Sequence, residues 1–264
     1  MRKATDKDGN WIFDGFADEY DAVRNAYVPE LIDDVLAYAA LRHDDLVLEV
    51  GCGPGTATRQ FAPRVPHLTA IEPGPRVAML ARRNTKTFGN VLIETALFDD
   101  WDGPGERFGL VFGARSFQWL DPATCFRKTA AHLRSAGALA LFWHWPVMDG
   151  TGFFQDVQEA YDTGWPRQPD GRPPPPVIDR IEKWRAIIDA APEFHPCDVR
   201  RYAWEREYDA ETYIRLMRTW PDHCRLEDAT REKLEAHIGR IIERAGGTVT
   251  PRYETGLFLT RRTT

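Results

Sequence analysis

The sequence predicts an α/β protein built on a doubly wound, mostly parallel sheet of seven strands. Three observations carry that prediction. Short apolar runs alternate with helical stretches from Leu46 to His144, the rhythm of strands joined by crossover helices. Some of those runs, ALALF (138–142) among them, are apolar at every position, which fits strands covered on both faces. A glycine-rich turn, Gly51 to Gly55, follows the first run and opens a helical stretch.

The elements follow in order. Residues 1–10 are polar. From Trp11 to Leu41 apolar residues recur at helical spacing (Phe13, Phe16, Tyr20, Val23, Tyr27, then Leu31, Ile32, Val35 and Leu36), and Pro29 opens the second helix. Residues 1–45 are therefore read as N-terminal cap helices. The runs LVLEV (46–50), LTAIE (68–72), VLIETA (91–96), GLVFGA (109–114) and ALALFWH (138–144) are predicted strands, with helices around 57–65, 75–83 and 123–135. Together they make a core over residues 46–145. The stretch TGWPRQPDGRPPPP (163–176) holds six prolines and is predicted to be extended, so residues 146–196 are read as an inserted lid over the sheet's edge. Helical patterns follow at 178–190, 209–219 and 227–245. The alternating runs VRRYAWEREY (199–208) and YETGLFLTRR (253–262) supply two further strands, so residues 197–264 complete the core sheet.

Composition narrows the function classes. A chain of 264 residues, 43% hydrophobic and 28% charged, can bury a sizeable core. Its net charge of −6 offers no basic footprint for nucleic acid or an anionic membrane. No apolar segment approaches the roughly 18–20 residues of a membrane span, and MRKATDKDGN lacks the apolar centre of a signal peptide. A cytoplasmic protein with neither membrane nor nucleic-acid partner is the expectation. The four cysteines lie far apart with no zinc spacing, so they are read as reduced thiols, and no metal is expected.

The glycine turn carries the chemistry. Gly51, Gly53 and Gly55 let backbone approach a ligand closely, and Glu72, 17 residues after Gly55 at the end of the next strand, is placed to accept hydrogen bonds from two ribose hydroxyls. A dinucleotide or S-adenosylmethionine would suit such a site. A dinucleotide turn reads GxGxxG, whereas Thr56 here follows a GxGxG pattern. Glu49, just before the turn, would repel a pyrophosphate and welcome an ammonium. These two features favour S-adenosylmethionine. His144 ends a buried strand at the carboxyl edge and is the candidate general base, a satisfied core histidine being the plainer alternative. Arg115 is a charge at a strand end, suited to an acidic substrate or to a salt bridge.

On FADEYDAVRNAYVPEL (16–31), VLEVGCGPGTAT (47–58), AIEPG (70–74), LFDDWD (97–102), SFQWLDP (116–122) and GGTVTPRYETGLFLTRR (246–262), the chain resembles the class I S-adenosylmethionine-dependent methyltransferases. Its nearest likeness is to the type 11 small-molecule branch that includes trans-aconitate methyltransferase. The resemblance implies a Rossmann-like fold that binds S-adenosylmethionine and releases S-adenosylhomocysteine. It also implies that Glu49, Gly51, Gly53 and Gly55 hold the methionine portion and that Glu72, with Pro73 beside it, holds the ribose. Phe98 and Asp99 would border the adenine, and Ala114 would offer backbone near the sulfonium. Tyr20 and Arg24 would close over the cofactor carboxylate. Tyr27, Phe117, Gln118, Trp119 and Trp145 would line the acceptor side, with a small organic molecule such as a secondary metabolite as acceptor. Three positions depart from the family: Asn25 stands where proline is usual, Gly109 where aspartate is usual, and Gln118 where histidine is frequent. Two rival readings remain, an NAD(P)-dependent oxidoreductase and a catalytically inactive S-adenosylmethionine-binding partner protein.

Overall fold

A computed structural model describes residues 11–147, 152–164, 176–224 and 226–264. The proline-rich stretch of the expected lid lies almost wholly outside the described residues. Helices α1 (Ala17–Val23) and α2 (Pro29–Ala39) precede β1 (Leu46–Val50), α3 (Thr58–Phe61), β2 (His67–Glu72), α4 (Pro75–Thr85) and β3 (Val91–Thr95). Then come β4 (Phe108–Ala114), α5 (Pro122–His132), β5 (Leu133–Pro146), α6 (Phe153–Gly164), α7 (Val177–Asp189) and β6 (Asp198–Glu205). The chain continues through β7 (Tyr208–Asp209), α8 (Ala210–Arg218), α9 (Pro221–Cys224), α10 (Asp228–Arg244), β8 (Thr248–Val249) and β9 (Arg252–Arg261).

Seven strands form one sheet in the order β3-β2-β1-β4-β5-β9-β6, and the pairs from β3 through β5 are parallel. The expected doubly wound sheet is therefore present. Several boundaries differ from the sequence reading: α1 stops at Val23, so that Arg24 and Tyr27 lie outside it, and α5 stops at His132. The helix after the glycine turn is only Thr58–Phe61, continued as a 3-10 turn over Ala62–Arg64, because Pro63 cannot extend the α-helical hydrogen bonding. Strand β5 begins five residues early, at Leu133, where a register shift between Phe108 and Leu110 lets Leu133 pair with Phe108. Ala136, at φ 55°, and Gly137 absorb the kink.

The chain divides into two compact units. The first holds Met1–His144, Glu182–Tyr202 and Thr255–Thr264. Its core lies under α2, whose Leu31, Ile32, Val35 and Ala39 pack with Val47, Leu110, Ala140 and Leu257 of the sheet. Pro29 at the first turn fixes φ for the start of α2, and Ala40, left-handed at φ 47°, ends it. The rings of Phe61 and Phe112 stack at 4.2 Å within that core. On α4, Ala78 and Ala81 face Ala70 and Ile93, while Val77 and Leu80 receive Ala17 of α1.

The second unit holds Trp145–Ile181 and Ala203–Glu254. Its described residues include α6, α8, α9, α10 and the β7–β8 pair, with Phe153 of α6 packed edge-on to Tyr213 of α8 at 5.0 Å. Arg218 of α8 grips Glu235 of α10 through two hydrogen bonds of 2.8 and 2.7 Å. Among the described residues no helix is long and apolar enough to cross a membrane.

Candidate functional site

Strand β1 lies between β2 and β4, so the chain's crossovers leave it in opposite directions. The carboxyl ends there frame the crevice where open α/β sheets bind ligands. The turn that follows β1 is left-handed three times, at Gly51 (φ 72°), Gly53 (φ 57°) and Gly55 (φ 88°). Conformation is not the only reason for glycine. A Cβ on Gly51 would stand 2.6 Å from Cβ of Ser116, far inside contact distance. Ser116 can come this close because its hydroxyl donates to the carbonyl of Val50. The N–H groups of Gly51 and Cys52 both donate to the carbonyl of Ile71, at 2.8 and 3.1 Å. The ends of β1, β2 and β4 are thus fastened around a turn that presents bare backbone.

Two buried carboxyl groups belong to this turn. Glu72 accepts from the Gly53 N–H at 2.9 Å and from the Gly74 N–H at 3.0 Å, tying the turn after β1 to the turn after β2. Burial pushes its carboxyl up to about 7, with those two N–H donors opposing the rise. Glu49 is fully buried, and its Oε2 accepts from the Thr58 hydroxyl at 2.6 Å. Its Oε1 has no hydrogen-bond partner among the described residues. Burial pushes this group up to about 8, the Thr58 hydrogen bond working against it. An orphaned buried carboxyl oxygen beside a cradle without side chains fits a ligand with a cationic end and disfavours a pyrophosphate. S-adenosylmethionine has such an end.

The N-terminal segment lies over both turns. Phe13 packs edge-on to Tyr20 at 5.3 Å and to Trp119 at 5.9 Å. The Tyr20 ring comes within 3.6 Å of the place a Gly53 Cβ would occupy, and the Arg24 guanidinium carbon sits 4.3 Å from the Tyr20 ring centre. Asp14 Oδ1 accepts from the Val77 N–H at 3.0 Å, capping the start of α4 beside Glu72.

His144 closes the other side. Its ring stacks on Tyr27 at 4.3 Å with 27° between planes, and its Nδ1 is 2.6 Å from the Thr255 hydroxyl oxygen. Tyr27 is itself pinned, because Gln60 accepts from its N–H at 3.0 Å and donates to its carbonyl at 2.7 Å. Burial first, then the positive charges of Arg115 and Arg24, hold the His144 ring well below its ordinary value and so uncharged at neutral pH. Arg115 itself is left-handed at φ 59°, a strained backbone for a side chain of that size, with its N–H donating to the Phe142 carbonyl at 3.0 Å.

The remaining sequence candidates spread out. The Gln118 amide is engaged at both ends, donating to the Arg115 carbonyl at 2.6 Å and accepting from Trp143 Nε1 at 2.7 Å. Phe117 is buried between Phe98 and Phe126, with Gly113 beneath its ring. Asp99 is exposed, and its carbonyl accepts from Lys128 Nζ at 2.7 Å. Pro73 is half-buried between Glu72 and Gly74, and Ala114 ends β4 in register with Phe142. Trp145 falls in the second unit. Residues the sequence reading missed are Asp14, Thr58, Gln60 and Thr255. Thr58, Ser116 and Thr255 sat inside recognised motifs without being singled out, and Asp14 and Gln60 lay outside them; the partners of all five emerge only in the fold.

Comparison with known proteins bears on this geometry. Residues 47–137 match the methyltransferase domain family. The chain is similar to trans-aconitate 2-methyltransferase of Deinococcus radiodurans, 31% identical over 96 residues, which is 36% of this chain and 36% of that one. It is also similar to a protein of Methanothermobacter thermautotrophicus named "Probable ribosomal RNA small subunit methyltransferase A". That match is 49% identical over 55 residues, 19% of this chain and 20% of the other. The chain thus spans about a third of the first relative's length and about a fifth of the second's. The fold is like that of phosphoethanolamine N-methyltransferase 2 of Haemonchus contortus, solved with phosphomonomethylethanolamine and S-adenosylhomocysteine. The TM-score is 0.56 at 10% identity, covering 97% of this chain and 60% of that one. At such identity the likeness speaks for the fold alone.

Proposed function

We propose that the chain is a class I S-adenosylmethionine-dependent methyltransferase acting on a small organic acceptor, a reading supported by the match of residues 47–137 to the methyltransferase domain family. The observation that carries this reading is the glycine turn fastened between Glu72 and Ser116, with the orphaned Oε1 of Glu49 behind it. S-adenosylmethionine supplies a methyl group already activated by a sulfonium. The chain's own work is alignment and exclusion of water. Glu49 and the three glycines would hold the methionine end, Glu72 the ribose, and Arg24 the cofactor carboxylate. Tyr20, Phe13 and Trp119 would cover the turn against solvent. The small-molecule acceptor is supported by the net charge of −6, which suits no nucleic acid, and by the neutral, enclosed His144–Tyr27 stack.

The rival readings lose support. A dinucleotide gains nothing from Glu49. The inactive-protein reading rests on two departures, Gln118 for histidine and Gly109 for aspartate; at Gly109 a Cβ would meet the Asp45 carboxylate at 2.4 Å. That carboxylate binds Arg134 at 2.8 and 2.9 Å, so the glycine makes room for a buried ion pair.

The test is release of S-adenosylhomocysteine from S-adenosylmethionine in the presence of a panel of small carboxylic acids, phenols and amines, with ribosomal RNA as a separate arm. Turnover with a small molecule supports the proposal. Turnover with RNA alone would replace the acceptor, and none with any acceptor would favour the inactive reading.

A further inference from the structure

Arg115 directly follows β4, one residue before the Ser116 that abuts Gly51 of the glycine turn. Its backbone is held on both sides. The N–H donates to the Phe142 carbonyl at 3.0 Å, and the carbonyl accepts from the Gln118 amide at 2.6 Å. Between those bonds the residue keeps a left-handed φ of 59°, which costs free energy for so long a side chain. Glycine or asparagine would sit there more easily, so the backbone gives no reason for an arginine. The side chain is half-buried, yet no carboxylate, carbonyl or hydroxyl among the described residues accepts from its guanidinium. Two other half-buried arginines of the same unit, Arg134 and Arg262, meet Asp45 and Glu106, each at 2.8 Å. We propose that Arg115 is the specificity residue of the acceptor side, and that the acceptor carries a carboxylate which this guanidinium holds. The proposal rests on the methyltransferase reading and deepens it by naming the chemical class of the acceptor.

Three physical arguments favour this assignment. The charge of Arg115 is felt in the crevice: burial pushes the Tyr27 phenol up, and Arg115 is the largest influence opposing that rise. Burial first, and then the same charge, keeps His144 uncharged. Both rings are neutral near pH 7, so neither supplies a counter-charge. A half-desolvated cation without an anion is costly, and a carboxylate brought by the ligand offsets that cost. The planar fork of a guanidinium also matches the two oxygens of one carboxylate, so an uncharged amide of the same shape is disfavoured. Gln118 stands where the family frequently has histidine, and here its amide holds the Arg115 carbonyl. The cofactor has a carboxylate of its own, which is the other source of this chemistry.

Calorimetric titration of the intact chain separates the two sources. In one arm S-adenosylhomocysteine is titrated into wild type, Arg115→Asn and Arg115→Lys, asparagine being chosen because it tolerates a left-handed φ. In the other, the same proteins saturated with S-adenosylhomocysteine receive a panel of aromatic and aliphatic mono- and dicarboxylates, each beside its primary amide. The expected result is S-adenosylhomocysteine affinity within about twofold in all three proteins, and wild type binding at least one acid roughly tenfold more tightly than its amide. That acid should bind about tenfold to a hundredfold more weakly to Arg115→Asn, and more weakly also to Arg115→Lys, which keeps the charge and loses the fork. No acid bound better than its amide, or acid binding that survives both substitutions, would overturn the proposal. So would a loss of S-adenosylhomocysteine affinity in the variants, which would assign the arginine to the cofactor carboxylate. Should Arg115→Asn fail to fold, Arg115→Lys decides alone. If wild type itself does not bind S-adenosylhomocysteine, the methyltransferase reading falls, and the acid titrations run on the ligand-free chain still decide whether Arg115 holds a carboxylate.

Discussion

Glu49 and Glu72 set the behaviour of the site at the scale of single residues. The Glu49 carboxyl keeps its proton up to about pH 8 in the folded chain, against an ordinary value of 4.5. Between those values folding takes up a proton, so stability falls as pH rises and is at its lowest once pH passes about 8. Glu72 acts with the same sign up to about 7. Thermal melts of the ligand-free chain should therefore show a falling Tm from pH 5 to pH 8, and Glu49→Gln should flatten the slope. A profile unaltered by Glu49→Gln would contradict the burial argument. The ammonium of S-adenosylhomocysteine offsets the cost of ionising Glu49, so the ligand should raise Tm more at pH 8 than at pH 5.5. Glu72→Ala removes the proposed ribose acceptor and frees two backbone donors. It should cost about 1.5–3 kcal/mol, roughly tenfold to a hundredfold in S-adenosylhomocysteine affinity. Unchanged affinity in calorimetry would remove Glu72 from the ribose site. The glycines and Glu72 were legible in the sequence because strand, turn and helix follow one another within a short stretch. Ser116 and Thr255 were not, since their partners lie 66 and 111 positions away and only the folded sheet brings them together.

Among the elements, the N-terminal segment couples the cap to the site. The helical periodicity read from Phe13 to Tyr27 holds only in part: residues 12–16 form a 3-10 turn, α1 ends at Val23, and Arg24 and Tyr27 lie beyond it. The sequence could not show that Asp14 reaches across 63 positions to cap α4 at Val77. Asp14→Ala should lose a capping bond worth about 0.5–2 kcal/mol. It should also speed proteolysis within residues 11–28 and weaken S-adenosylhomocysteine binding, because Tyr20 and Arg24 travel with that segment. Arg24→Lys should weaken binding as well, since the ammonium cannot make the two-pronged contact of a guanidinium with a carboxylate. Wild-type affinity and protease resistance in both variants would reduce the segment to a passive cover. Strand β5 gives the converse lesson. Its apolar run marked the strand, but its first five residues were hidden by Ser135 and Gly137, which suggest a turn and in fact occupy the kink at Ala136.

For the molecule as a whole, the order β3-β2-β1-β4-β5-β9-β6 puts the glycine turn at the point where the sheet's winding reverses. The alternation of strands and helices foretold that sheet. Pairing order and close approaches across it were not written in any local pattern, so nothing near Gly109 showed that the Asp45 carboxylate packs against it. The central claim is that this crevice recognises an S-adenosyl ligand by a carboxyl-lined, side-chain-free turn. Isothermal titration of the intact chain with S-adenosylhomocysteine and, in parallel, with NADH tests it most directly. The account predicts saturable binding of S-adenosylhomocysteine and none of NADH. Binding of NADH with no response to S-adenosylhomocysteine would contradict it.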